Sequence, residues 1–241
     1  MRELHHKSGG YLKNKSKEHL VKAILYGVVS VFLLLISTPR LPTHIISPDF
    51  DNAVTLLTIV PVIVAFLNLR VYRDYRRGME GERRVKHLLD SEFGNEYYII
   101  NDIEYVYDDK GSKANIDHIV LAPNGIFVIE TKATKREITY KKDYWYPPFR
   151  LSPSKQVGWN VSWVKKAIDE AKVLSLNVWV EPIIVFSNDA AKLTVVDPEI
   201  EAVVELKDLP NTIKSFQRYT FSLKQLETIG EAILKKASGT G

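Results

Sequence analysis

The 241-residue chain contains no cysteine. This absence excludes disulfides, thiolate metal sites and cysteine nucleophiles, so any metal ion must be held by oxygen or imidazole ligands. Internal repeats and low-complexity segments are also absent. A chain of this length accommodates one domain of ordinary size together with an appendage.

A strong overall charge is lacking as well, since the formal net charge is only +4. Residues 1–77 carry 11 Lys and Arg against 5 Asp and Glu, whereas residues 78–241 carry 22 against 24. A general basic field over the C-terminal part is therefore excluded, and nucleic acid would have to bind at a local patch. The best candidate for phosphate contacts is the run KATKREITYKK, for which an ordinary solvated face is an equal alternative.

Two uncharged apolar runs near the N-terminus predict transmembrane helices: AILYGVVSVFLLLIS, from Ala23, and AVTLLTIVPVIVAFLNL, ending at Leu69. Lys22 can snorkel from the first run, and Pro61 is tolerated in the second. One alternative is a signal peptide followed by a buried helix, although STPRLP is a poor cleavage site. Another is a pair of core helices in a soluble domain.

The charges flanking these runs predict the orientation. Lys and Arg are abundant in KNKSKEH and RVYRDYRR on the outer flanks, whereas the connecting loop contains only Arg40. This pattern places both termini in the cytoplasm. We therefore expect a multi-pass protein of the cell membrane, with a basic cytoplasmic tail (1–19), a helical hairpin and basic juxtamembrane segment (20–77, with residues 20–69 in contact with the bilayer) and a cytoplasmic domain (78–241).

The pattern after residue 78 predicts an α/β domain. A helix (GERRVKHLLDSEF) precedes the strands YYIINDIEYVY, ANIDHIVLA, GIFVIETKA and EITYKKDYWY. An amphipathic helix from Gln156 to Leu174, the strands WVEPIIVFSN and AVVEL, and a closing helix (SLKQLETIGEAILKKA) follow. This order predicts a mixed sheet with helices on its faces.

Polar side chains interrupt two of the apolar strands at Asp117, Glu130 and Lys132. Glu130 and Lys132 share a face because they are two residues apart. If Asn124-Gly125 forms a two-residue turn, Asp117 lies opposite Lys132 on that same face, whereas a three-residue turn requires a bulge. A cross-strand ion pair between Asp117 and Lys132 is the structural alternative.

These residues also suit metal-assisted phosphodiester hydrolysis. Asp117, Glu130 and the backbone carbonyl of Thr131 offer oxygen ligands for Mg²⁺ or Mn²⁺. Lys132 can hold the attacking water and stabilise negative charge in the transition state, while the metal polarises the phosphoryl oxygen.

Four motifs, in the expected order over roughly residues 78–190, resemble the nuclease-related domain, a member of the PD-(D/E)xK nuclease superfamily. They are Gly81-Glu82, Ile116-Asp117-His118, PNGIFVIETK and Pro153 with Gln156. Two positions depart from the pattern, because Ile116 replaces the proline of the superfamily's name and Asn160 stands where some relatives have tyrosine.

This resemblance implies a restriction-endonuclease-like core with Asp117, Glu130 and Lys132 as its central motif. It also implies that Glu82 supplies a further carboxylate and that Gln156 assists the site or contacts the nucleic-acid backbone. Glu82 as an ordinary acid at a helix N-terminus is an equal alternative. Glu-x-Lys alone is unspecific, since it recurs at residues 170–172 and 205–207.

Neighbouring side chains have less specific interpretations. His118 should point to the opposite face of its strand and be structural. Gln156 and Asn160, one helical turn apart, could contact phosphate or cap the helix. Trp159 and Trp163 could stack on bases, although core or membrane-facing packing is commoner for such a pair.

The leading hypothesis is therefore a membrane-anchored, Mg²⁺-dependent nuclease acting on DNA or RNA, with DNA favoured. The first alternative is a non-catalytic module that binds nucleic acid or protein on a nuclease-like fold. A membrane-assembly role for the hairpin itself is another, for which the sequence offers no positive mark.

Overall fold

The computed structural model describes residues 1–4, 10–37, 48–107, 111–173, 178–200 and 202–239. The helices are α1 (Tyr11–Ser37), α2 (Pro48–Glu92), α3 (Pro153–Ala171), α4 (Leu209–Ser215) and α5 (Leu223–Ala237). The strands are β1 (Arg2–Glu3), β2 (Tyr98–Val106), β3 (Lys113–Ala122), β4 (Gly125–Lys132), β5 (Glu137–Lys142), β6 (Tyr144–Tyr146), β7 (Val180–Phe186), β8 (Lys192–Pro198) and β9 (Ala202–Glu205). Arg40 of the predicted connecting loop and the predicted helix end at Leu174 lie outside the described residues.

The chain forms two compact units, one of which, Leu12–Met79, contains the apolar helices. By length and composition, two helical segments can cross a membrane: Leu12–Leu35 and Leu56–Glu92. Only 6% of each apolar window is buried, and Leu35 and Phe66 are among many large side chains exposed to the surroundings. Such exposure does not fit core helices of a soluble domain, which bury their apolar face.

The other unit, Met1–Tyr11 with Glu80–Gly241, is built on a six-stranded sheet of order β1-β2-β3-β4-β7-β9. β2, β3 and β4 are antiparallel neighbours, whereas β4–β7 and β7–β9 are parallel. Helices α3 and α5 cover one face, and the end of α2 with α4 packs against the other. The mixed sheet flanked by helices that the sequence predicts is therefore confirmed.

The first helix of this unit is the continuation of the second apolar helix. α2 runs without a break through Gly78, so Glu82 lies in its interior, 34 residues after its first residue, Pro48. The interpretation of Glu82 as an acid at a helix N-terminus is therefore wrong. The error arises because glycine lowers helix propensity by only about 1 kcal/mol, and packing of Val85 and Leu89 on the sheet outweighs this cost.

A second sheet, of order β6-β5-β8, was not predicted. The run EITYKKDYWY forms two antiparallel strands instead of one, because Lys142 adopts a left-handed conformation (φ 52°) and reverses the chain. The short elements β1, β8 and α4 also lack a clear sequence signal. β8 is largely exposed, which removes the apolar alternation that marks a half-buried strand.

The predicted register of β3 and β4 is wrong by two residues. Ala122 pairs with Gly125, so the turn consists of Pro123 and Asn124. The Asn124 side chain donates hydrogen bonds to backbone carbonyls of Ile213 and Phe216, which holds it in the turn. The ladder continues to the pair His118 and Ile129, which aligns Asp117 with Glu130 and not with Lys132. A shift of two residues preserves the face, so the three polar side chains remain on the same side of the sheet.

Candidate active site

Asp117 and Glu130 lie on neighbouring strands where the β3–β4 ladder ends. The backbone amide of Thr131 donates to Oδ2 of Asp117 over 2.7 Å. Glu130 is only 4% exposed, and Asp117 is half-buried. Burial, reinforced by the charges of Glu130 and Glu82, raises the pKa of Asp117 well above its usual range. Two carboxylates are thus held close together with little water around them.

Lys132 provides the positive charge beside this pair. Its Nζ donates to Oε1 of Glu130 over 2.7 Å and to Oε1 of Gln156 over 2.6 Å. An ammonium has three N–H donors, and the described residues accept from two of those on Lys132. The third direction can serve a water molecule or a phosphate oxygen.

Gln156 reaches this lysine because α3 begins immediately beside the strand ends. Ser152 caps the helix by accepting from the amide of Lys155, and Pro153 occupies a position where its missing N–H costs nothing. Gln156 therefore lies in the first turn, with its side-chain oxygen aimed at Lys132.

Glu82 approaches the site from α2. The neighbouring Gly81 packs so closely that a Cβ there would lie 2.5 Å from Ser187 Oγ and 2.8 Å from Ala133 Cβ, just beyond β7 and β4. Burial, and then the charges of Asp102 and Glu130, raise the pKa of Glu82 to about 8. The apolar run of α2 ends at Leu69, so this carboxyl lies well outside the hydrophobic segment.

The carbonyl of Thr131 is directed to the β3 side of β4. In a strand, the N–H and C=O of one residue are directed to the same edge, and the N–H of Thr131 is bonded to Asp117. Lys132, the next residue, points its carbonyl the other way and accepts from the amide of Ser187 on the β7 side. The predicted oxygen set of Asp117, Glu130 and Thr131 is thus grouped at one strand end.

Asn160, one turn after Gln156, is buried beneath the site. Its amide nitrogen donates to Oε2 of Glu130 over 3.4 Å and to the carbonyl of Asn115 over 3.3 Å. Its side-chain oxygen accepts from the hydroxyl of Tyr105 over 2.9 Å. Contact with phosphate, the sequence-based interpretation, does not fit a side chain that is 3% exposed. Asn160 instead orients Glu130.

Sequence reasoning missed Tyr105 and Asp102. Burial, together with the Glu130 charge, raises the pKa of Tyr105 to about 12, so its hydroxyl remains a donor to Asn160. Asp102 adopts a left-handed conformation (φ 54°) inside β2 and accepts from the amide of Gly10. The sequence signal for Asp102 is weak, because Asn101 and Glu104 also interrupt the apolar residues of β2.

Other polar and aromatic candidates lie elsewhere. His118 is buried on the opposite face, where its Nδ1 lies 2.7 Å from Oδ1 of Asn101. Trp163 stacks on Tyr105, and Trp159 lies parallel to Tyr107 with 51% of its surface exposed.

No group of three or more His, Asp or Glu side chains forms a ready metal cage among the described residues. Glu82 is therefore close enough to act through its charge but is not grouped with Asp117 and Glu130 as a third carboxylate ligand.

The two other Glu-x-Lys sequences lack these surroundings. Glu205 and Lys207 form a 2.8 Å ion pair that resembles the pair of Glu130 and Lys132, but the Lys207 side chain is 74% exposed. Lys172 terminates α3 in a left-handed conformation, and Glu170 instead pairs with Lys166 and Lys236. The exposure of Lys207 makes the ion pair of Glu205 and Lys207 a useful experimental control.

Comparison with known proteins identifies the same region. The nuclease-related domain family matches residues 77–187, which confirms the resemblance seen in the sequence. An uncharacterized protein of Bacillus anthracis is 41% identical over 56 residues, which is 23% of this chain and 26% of that protein. The chain therefore spans about a quarter of that relative's length. No solved structure matches the chain.

Proposed function

We propose that the nuclease-related domain matched over residues 77–187 hydrolyses phosphodiester bonds of nucleic acid, DNA in preference to RNA, with Mg²⁺ or Mn²⁺ as cofactor. The observation that carries this proposal is the grouping of Asp117, Glu130 and Lys132 where the ladder between β3 and β4 stops and β4 ends. We assign the domain a restriction-endonuclease-like core, in which this strand end is the catalytic centre.

The donor set fits a hard divalent cation. Asp117, Glu130 and the carbonyl of Thr131 would hold the ion through oxygen, the ligand that Mg²⁺ prefers. Two carboxylates are fewer ligands than a dedicated protein cage provides. This number suits an ion that keeps several waters and is also coordinated by substrate phosphate. When bound, Mg²⁺ would polarise a phosphoryl oxygen and make an attached water more acidic.

The protein side chains then have distinct roles. Lys132 donates its remaining N–H to the attacking water or to a non-bridging phosphate oxygen, where negative charge accumulates. Glu130 and Gln156 fix the direction of that ammonium, and Asn160 fixes Glu130. Glu82, mostly protonated at neutral pH without a metal because its pKa is raised to about 8, would ionise when a cation is bound and add negative charge that favours that cation.

We further propose that the protein is anchored in the cell membrane through residues 20–69, with both termini in the cytoplasm. The two apolar helices and their basic flanks support this topology. The pairing of β1 with β2 also supports it. Residues 2–3 can join the sheet of the C-terminal domain only if the N-terminus and that domain lie on the same side of the membrane, as they do when the chain crosses the membrane twice.

The absence of native cysteine permits a direct test of topology. Thr43→Cys in the connecting loop should react with a membrane-impermeant maleimide added to intact cells, whereas Ser238→Cys near the C-terminus should react only after permeabilisation. Labelling of Ser238→Cys in intact cells would contradict the proposed orientation.

Activity is best tested on the full-length chain in detergent, with plasmid DNA and RNA as substrates and with Mg²⁺ and Mn²⁺ titrated. Wild type should cleave, whereas Asp117→Asn and Lys132→Ala should not. Lys207→Ala, which removes the lysine of the exposed ion pair with Glu205, should retain wild-type activity. Divalent-ion binding measured by calorimetry should be lost in Asp117→Ala/Glu130→Ala. A folded wild-type protein that binds no ion and cleaves neither substrate would support a non-catalytic binding module instead.

A further inference from the structure

Positively charged side chains without a partner are concentrated in the part of the sequence that connects Lys132 to Gln156. Residues 133–155 carry six Lys and Arg against only Glu137 and Asp143. Within the described part of the chain, none of the six side chains, Lys135, Arg136, Lys141, Lys142, Arg150 and Lys155, has a hydrogen-bond or ion-pair partner. Most other cations of this unit, for example Arg84, Lys113 and Lys166, are paired with acids. This segment is therefore a local basic patch in a unit that has no general basic field.

Two exposed tyrosines accompany these cations on the β6-β5-β8 sheet. Tyr144 and Tyr146 are 66% and 57% exposed and, being two residues apart on β6, share its outer face. Lys141 pairs with Tyr144 in the ladder, and Thr139 pairs with Tyr146. We call this outer face, comprising Lys141, Tyr144 and Tyr146, the tyrosine face.

The inner face of the same sheet is fixed to the candidate active site. Trp145, between the two tyrosines, stacks on Tyr140 and donates its indole N–H to Oγ of Ser154 over 3.0 Å. Ser154 lies in the first turn of α3, two residues before Gln156. Trp145 also contacts Phe186, with ring centroids 6.0 Å apart, and Phe186 pairs with Lys132 in the β4–β7 ladder. The sheet that carries the tyrosine face is thus packed through Trp145 against α3 and β7, the elements next to Gln156 and Lys132.

A cavity of about 470 Å³ connects the tyrosine face to α3. Tyr144 and Lys155 are both part of its lining, and Lys155 directly precedes Gln156. Asp143 and Glu199 line it as well, so the interior of the cavity is not basic. Phosphates are therefore expected along the exposed lysines, and the cavity is better suited to the uncharged part of a nucleotide.

We propose that the tyrosine face, with Lys142 and Lys155, binds single-stranded nucleic acid and guides it into the active site; the inference rests on the nuclease function proposed above. Exposed cations contact the phosphates, and the tyrosine rings stack on bases. Stacking requires an accessible base face, which unpaired nucleotides offer and a duplex does not. The preferred substrate is therefore nucleic acid with unpaired nucleotides, such as a single strand, a frayed end or a transiently melted stretch of a supercoiled plasmid.

Binding can be measured separately from cleavage by fluorescence anisotropy of labelled oligonucleotides with the full-length chain, in EDTA. Wild type should bind a single-stranded oligonucleotide more tightly than the same sequence as a duplex. Lys141→Gln/Lys142→Gln/Lys155→Gln should weaken binding and reduce the slope of log K against log salt by about 2, since each phosphate contact on a single strand contributes about 0.7. A charge-matched control is Lys166→Gln/Lys207→Gln/Lys214→Gln, which should leave that slope unchanged.

The contribution of base stacking to binding can be tested with separate variants. Tyr144→Ser/Tyr146→Ser should weaken binding to the single strand by about tenfold or more and leave duplex binding unchanged. The control, Tyr107→Ser/Trp159→Ser, removes a different exposed aromatic pair and should have no effect. If the control pair abolishes binding and the β6 tyrosines do not, or if wild type binds no oligonucleotide, the inference is wrong.

Cleavage with Mg²⁺ in parallel samples separates this inference from the proposed function. Patch-dependent binding without cleavage would contradict the nuclease and leave the binding surface established. Cleavage that is unaltered in the lysine and tyrosine variants would retain the nuclease and overturn the binding surface.

Discussion

The backbone amide of Thr131 donates a 2.7 Å hydrogen bond to Oδ2 of Asp117, at the position where the ladder between β3 and β4 ends. A side chain thereby replaces the next backbone partner, and the strand ends separate there. The carbonyl of Thr131 faces the same edge of β4 as this amide. This single contact accounts for both the break in the sheet and the grouping of oxygen atoms proposed to bind the cation.

Replacing Asp117 with asparagine should separate stability from activity. Asparagine keeps an oxygen for the amide of Thr131, but it removes an ionisable group whose charged form is disfavoured by burial and by the neighbouring Glu130. We expect Asp117→Asn to unfold at an equal or higher temperature, with a gain on the order of 1 kcal/mol, as is common where an active site carries electrostatic strain. Cleavage should be lost. Thermal unfolding and plasmid cleavage measured on the same preparation test both parts, and a strong loss of stability would contradict the electrostatic argument.

Removing only the lysine from the ion pair of Lys132 and Glu130 should lower stability more than removing both charges. Lys132→Met leaves a nearly buried carboxylate without its partner and should lower the free energy of unfolding by about 3 kcal/mol. Lys132→Met/Glu130→Gln removes both charges and should recover most of that loss without restoring cleavage.

Denaturant unfolding of these variants provides the measurement, with Lys207→Met as the control. That lysine forms an ion pair of similar length on the surface, so its loss should leave stability near the wild-type value. Recovery of cleavage in the double variant would contradict a catalytic role for Lys132.

The sequence predicted the strands and side chains of this site but not how they are brought together. Apolar runs identify β3, β4 and β7, because buried central strands have few alternatives. The predicted register is wrong because the Asn124-Gly125 pattern predicts a turn at these two residues, whereas tertiary hydrogen bonds from Asn124 select a turn at Pro123 and Asn124. Contacts between residues far apart in the chain cannot be read from local patterns.

The same limitation explains the missed positioning residues. Tyr105 reaches Asn160, 55 positions away, and that contact exists only when β2 lies beneath α3. In the separate sheet, β5 likewise pairs with β8, about 55 residues further along the chain. Conversely, the Gly81-Glu82 motif was recognised from the sequence, while the reason for its glycine became apparent only from the packing.

Gly81 should be intolerant of even a methyl group. A Cβ at this position would lie 2.5 Å from Ser187 Oγ and 2.8 Å from Ala133 Cβ, so α2 would have to move away from the strand ends. Gly81→Ala should lower the free energy of unfolding by about 1 to 3 kcal/mol and reduce cleavage by displacing Glu82.

Gly158 in α3 is the matched control for this substitution. A Cβ there has no atom within 4 Å, so Gly158→Ala should raise stability by up to about 1 kcal/mol through helix propensity alone. Equal effects of the two substitutions in chemical denaturation would show that packing against Ser187 and Ala133 is unimportant.

Glu82 should give the protein a stability that decreases with rising pH when no divalent cation is present. Its pKa of about 8 lies above the ordinary value of 4.5, so between these values the folded state binds more protons than the unfolded state. Stability from this group is complete below about pH 4.5 and is lost as the pH rises through 8, with a slope of at most about 1.4 kcal/mol per pH unit. Denaturant unfolding in EDTA from pH 5 to 9 should show a steeper decline in wild type than in Glu82→Gln, in which the raised pKa of Asp117 leaves part of the decline. Asp102→Asn, which keeps a residue that tolerates the left-handed conformation, removes one of the charges that raise the Glu82 pKa and should shift the decline to lower pH. A wild-type profile identical to that of Glu82→Gln would mean that this carboxyl is ionised at neutral pH and is not held in the electrostatic environment described for the site.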